Sequence, residues 1–163
     1  MNHILIECTH PTTQLIWTLA KEIWPHGEET WPEITLGTIL GCGALQSKIH
    51  TTDETRRNRP NVAPTHPNAG ATRLIKILVS EAAYLIWITR CGRAIRGDEL
   101  TENETKAAWR RTLNRRISED TTTASRVLRK PEYIKLIKNT WEKALQKYYG
   151  SIPDNWIRRG KGF

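Results

Sequence analysis

The stretch from residue 71 to about residue 96 constrains this chain more than any other. Read at about 100° per residue, it carries apolar side chains on nearly every side, among them Leu74, Leu78, Leu85 and Trp87. A helix that is apolar all round is stable in water only when neighbours bury it. A bilayer is the other environment for such a helix, but Lys76, Ser80 and Glu81 interrupt this one. Its longest unbroken apolar run, residues 82–88, is far too short to span a membrane. The segment therefore predicts a central helix sheathed by others.

The remaining segments supply that sheath. Pro11, Thr12 and Thr13 make a helix start, after which Leu15, Ile16, Leu19, Ala20 and Ile23 recur at helical spacing. Pro25 and Gly27 end it. A short helix is expected after Thr35, with Leu36, Ile39 and Leu40 inward, loosened by Gly41-Cys42-Gly43. Residues 46–70 hold three prolines, few apolar side chains and the cluster Arg56-Arg57-Asn58-Arg59, and read as a long exposed loop. Thr101 through Glu104 fits a capping box. The helix after it aligns Trp109, Leu113 and Ile117; a separate short helix is expected over 122–129. A last helix, 132–149, aligns Ile134, Ile137, Trp141, Leu145 and Tyr148, and stops at Gly150. No segment shows period-two alternation. The expected fold is all-α: one domain over residues 1–163, an irregular bundle of about five to six helices around a buried central helix.

Ordinary hydrophobic content, 38%, argues against wholesale disorder. Seven Trp against one Phe suggest indole anchors in the core. The three cysteines are too few and too far apart for a disulfide framework. No basic start with an apolar stretch follows Met1, so the reading is an intracellular protein, nuclear or cytoplasmic. The formal charge is +8, and it is uneven. Residues 1–70 hold five Lys/Arg and seven Asp/Glu, a net −2; residues 71–163 hold twenty and ten, a net +10. A basic half of this kind attracts polyanions.

That charge is placed on helices. Arg111 and Arg115 lie opposite the Trp109/Leu113/Ile117 stripe, with Arg110 and Arg116 on its flanks. Lys135 and Lys143 point away from the last helix's apolar stripe, Lys138 lies to one side, and Arg126, Arg129 and Lys130 bridge the two helices. Such a row can contact phosphates through forked guanidinium donors and diffuse ammonium charge; it can equally be a solvated face.

Other candidates carry less. Glu81, inside the apolar helix, needs an arginine or an indole N–H as partner, or else serves as a functional acid. Trp17, Trp24 and Trp31, seven apart, are read as core rather than as a base-stacking platform. His3 and Cys8 form half of a zinc-knuckle spacing, and His10 alone cannot complete four ligands, so no metal and no cofactor is expected. No Ser-His-Asp set, phosphate loop or convergent carboxylates appear, so no enzymatic centre is expected.

The segment Asn2-His3-Ile4-Leu5-Ile6-Glu7-Cys8 with Ile16-Trp17 and Leu19-Ala20 resembles the end of a reverse-transcriptase-associated zinc-binding segment. The stretches Ala71-Thr72-Arg73-Leu74, Ser80-Glu81-Ala82, Leu85-Ile86-Trp87 and Arg90-Cys91, with Trp109 through Arg116, are similar to the region that follows it in fungal non-LTR retrotransposon polyproteins. The resemblance implies a retroelement fragment or a derived gene, with polymerase and RNase H carboxylates upstream, and a role in handling template or target. Three functions follow as expectations: a non-catalytic module binding RNA or DNA by its backbone, a helical interaction or self-association module, and a repurposed enzyme or small-molecule binder with a pocket around Glu81.

Overall fold

The computed structural model describes residues 3–47, 49, 68–126 and 131–159. Among them there is no strand, and six α-helices form the expected all-α bundle: α1 (Pro11–Ile23), α2 (Leu36–Leu40), α3 (Ala69–Arg96), α4 (Glu102–Arg126), α5 (Pro131–Tyr149) and α6 (Trp156–Arg159). A π-helical turn, His3–Glu7, precedes α1. The expected loop over 46–70 lies largely outside the described residues, as do Arg129 and Lys130.

The helix ends follow from local chemistry. Helix α1 begins at Pro11, whose missing N–H costs nothing in the first turn, and the His10 side chain accepts from the Thr12 N–H at 3.3 Å. Thr35 caps α2 by accepting from the Thr38 N–H. Asn68 Oδ1 accepts from the Ala71 N–H at 3.0 Å and opens α3, and Gly97 closes it in the left-handed conformation at φ 74°. The capping box at Thr101 is complete: its N–H and hydroxyl both donate to Glu104 Oε2, and its hydroxyl accepts from the Glu104 N–H.

Helix α4 departs from expectation. It runs unbroken to Arg126, with no separate helix beginning at Thr122. Hydroxyls in this polar stretch bond one turn back along the same helix, Thr121 to the Ser118 carbonyl, Thr123 to Glu119 and Ser125 to Thr122. Asp120, Thr121 and Ala124 are buried, so tertiary packing carries the helix through residues of poor intrinsic propensity.

Helix α3 lies at the centre, packed chiefly on α5 and α1, with α4 closing against α1 and α5. Leu74, Leu78, Val79, Ala82 and Ile86 are buried to within 1% exposure, and Ile16, Leu113, Ile117, Ile137, Trp141 and Leu145 meet them. A Cβ on Gly70 would stand 2.5 Å from the Asn139 carbonyl, so glycine is what lets α3 and α5 approach there. Trp156 of α6 is completely buried in the same core. Trp17 donates to the Leu5 carbonyl at 2.8 Å, and Trp24 donates to the Thr30 hydroxyl while meeting Trp31 edge-on, which makes these indoles core and not a stacking platform.

Burial of α3 is not complete on every side. Tyr84, Trp87, Ile88 and Ile95, which at 100° per residue lie within about 100° of one another around the helix, form one exposed face, with Trp87 at 42% and Ile95 at 78% exposure. The neighbouring helices cover only part of the circumference, and an all-round apolar pattern does not report where cover stops.

One cluster joins three helices. Arg73 of α3 donates in bidentate fashion to Asp120 of α4, at 2.7 and 2.6 Å, and the buried Trp141 indole of α5 donates to the same Asp120 Oδ2 at 2.7 Å. Removing the carboxylate takes away the acceptor that the Arg73 guanidinium and the Trp141 indole share. Asp120→Ala is expected to lower the unfolding free energy by about 3 kcal/mol in urea titration. Loss below about 0.5 kcal/mol, the range of ordinary surface changes, would show that the cluster does not hold the helices together.

Candidate nucleic-acid interface

The structure sorts the ten basic candidates into groups. Arg115 and Arg116 face Glu81 on α3: Arg115 Nη2 donates to Glu81 Oε2 at 2.9 Å, and Arg116 Nε lies 3.2 Å from Glu81 Oε1. Both also reach Glu119, Arg115 at 2.8 Å and Arg116 at 3.4 Å. Two guanidiniums and two carboxylates thus clasp α4 to α3. The hydrogen bond to Glu119, with the charge of Glu81 adding to it, raises the Arg115 pKa further. Glu81 is a nearly buried carboxylate with both oxygens engaged by arginines.

The second group faces outward. Arg110, Arg111 and Arg126 on α4 and Lys135 and Lys143 on α5 are exposed, and among the described residues none forms an ion pair. Their helices present Trp109, Leu113, Ile117, Ile137 and Trp141 to the core on the opposite side, so the amphipathic pattern itself fixes this orientation. Lys138 is half-buried and pairs with Glu142 at 3.4 Å. Lys143 is near enough for its charge to join burial in lowering the His26 pKa.

The C-terminal end of α5 adds aromatic surface. Tyr148, expected in the apolar stripe, is 52% exposed and meets Tyr149 edge-on at 4.9 Å. Burial raises the Tyr149 phenol pKa, repulsion from the ionised Tyr148 phenol adds to the rise and the Arg110 charge opposes it, which puts α4's first arginine beside this pair. Sequence patterning missed this grouping, because Arg110 and Tyr149 come together only through the packing of α4 on α5.

The half zinc motif has other occupations. His10 Nδ1 serves as the α1 cap, and His3 lies 3.9 Å from Glu7. Among the described residues no three His, Cys, Asp or Glu side chains are grouped so as to hold a metal ion. Nor is any described helix long and apolar enough to cross a membrane. No protein-family model matches the chain, and no curated protein or solved structure matches it either.

The clasp at Glu81 gives a graded expectation. Glu81→Ala, which leaves two arginines with Glu119 alone, should destabilise the fold by about 2 kcal/mol. Arg115 is half exposed and Arg116 still satisfies Glu81, so Arg115→Ala should lose less than about 1 kcal/mol. Equal losses in urea titration would show that Glu81 is not the centre of the clasp.

Proposed function

We propose that this chain is a non-catalytic, nucleic-acid-binding helical domain that contacts phosphate backbones through Arg110, Arg111 and Arg126 of α4 and Lys135 and Lys143 of α5. The observation that carries the reading is that these five cations are exposed and, among the described residues, outside any ion pair. Arg115 and Arg116, in contrast, are held by Glu81 and Glu119. Cations that lack protein partners are those that release counterions from a polyanion at least expense to the fold. Contacts of this type position a strand and do not read its sequence. Retroelement origin, which the resemblance implies, fits a role in handling template or target, and RNA and DNA are both candidates for the strand.

A second reading has its own observation. The exposed face of Tyr84, Trp87, Ile88 and Ile95 on α3 favours a protein-interaction or self-association module, because contiguous apolar surface commonly marks a contact site.

The test is oligonucleotide affinity measured across a salt series. Arg111→Ala with Arg126→Ala should leave stability within about 0.5 kcal/mol of the parent, since both side chains are exposed. The slope of log affinity against log salt should shrink by about one to two units, similarly across sequences. An unchanged slope in a folded double variant would remove α4 from the binding surface. No binding by the parent chain at low salt would overturn the proposal and leave the α3 face as the functional surface.

A further inference from the structure

We infer that the cavity between α1, α4 and the end of α5 seats a single unstacked base, making the preferred ligand a single strand and not a duplex. The inference rests on the backbone-binding reading and adds to it the part of the ligand that the cavity accepts.

The cavity measures about 190 Å³. An apolar cavity of about 150 Å³ is enough to hold a benzene ring, so one aromatic heterocycle fits here. Leu19 and Ile23 of α1 and Trp109 of α4 give it apolar walls, and Tyr148 of α5 completes the lining with a half-exposed ring. Walls of this kind suit the face of a base, which gains from aromatic stacking whatever its sequence.

The charged residues complete the match. Lys106 and Arg110 line the same cavity from successive turns of α4. Arg110 is exposed and forms no ion pair among the described residues, so a strand following α4 along the proposed backbone surface brings its phosphates to this point. Lys106 keeps Glu102 as a partner on its own helix. Glu22 also lines the cavity, and its carboxylate disfavours a free anion as occupant. It does suit a base, because each of the four bases carries an N–H on its pairing edge that a carboxylate can accept. In duplex nucleic acid those edges and faces are occupied, and the base would have to leave the stack.

The experiment compares three probes of equal length on the full chain: oligothymidylate, an abasic sugar-phosphate chain, and a duplex. Oligothymidylate should bind about tenfold more tightly than the abasic chain, in line with the stacking contribution of one base. Tyr148→Ala should lose that advantage while binding the abasic chain as before, and Tyr148→Phe should keep it. Equal parent affinity for all three probes, or tighter binding of the duplex, would overturn the cavity assignment and leave the backbone reading in place. Full retention of the advantage in Tyr148→Ala would overturn it as well. Failure of the parent to bind any probe would remove both readings together. If Tyr148→Ala does not fold, the parent's preference between oligothymidylate and the abasic chain decides the question.

Discussion

Asp120 is the constraint on which the rest of this structure depends. Its carboxylate takes two bonds from Arg73 and one from the Trp141 indole, and so fixes α3, α4 and α5 at one point. A nearly buried carboxylate is tolerable only when its lone pairs are filled, and here three donors fill them. The geometry also sets direction. Bidentate pairing demands a coplanar approach of guanidinium and carboxylate, which a nonspecific apolar contact does not. With α3 and α4 fixed there, the clasp of Glu81 with Arg115 and Arg116 falls about two turns further along α3 and about one turn back along α4. Gly70 completes the set by letting α5 close on the start of α3.

These pairs divide the basic residues into two populations. Arg73, Arg115 and Arg116 meet carboxylates within the fold, while Arg110, Arg111, Arg126, Lys135 and Lys143 are turned outward. Net charge alone does not make this distinction. The excess of +8 is a long-range property that draws polyanions in, whereas the division determines which side chains are available when one arrives. The proposed function rests on the outward population, and the base-seating cavity lies where Arg110 brings that population next to Tyr148.

The strongly patterned elements were legible in the sequence. The span of α3, the Thr101 capping box, the Thr35 cap and the stop of α5 at Gly150 follow from periodicity and from residues whose local chemistry has few alternatives. The join between residues 117 and 126 was not legible in the same way, because Asp120, Thr121 and Thr122 favour a helix end until packing overrides them. Asp120 did leave a trace. It falls on the Trp109/Leu113/Ile117 stripe, where a carboxylate signals a partner, yet that partner is 47 residues away. An arginine partner for Glu81 could likewise be expected from chemistry, although its position could not. The exposed face of α3 was hidden for the opposite reason: its apolar residues look the same in sequence whether or not a neighbour covers them.

The division of arginines is the central claim, and the side-chain Nε–H signals of arginine report on it directly in NMR titration with a single-stranded oligonucleotide. The signals of Arg110, Arg111 and Arg126 are expected to move progressively as strand is added, while those of Arg73 and Arg116 stay in place because Asp120 and Glu81 hold them. Movement of Arg73 and Arg116 with the outward three unchanged would contradict it.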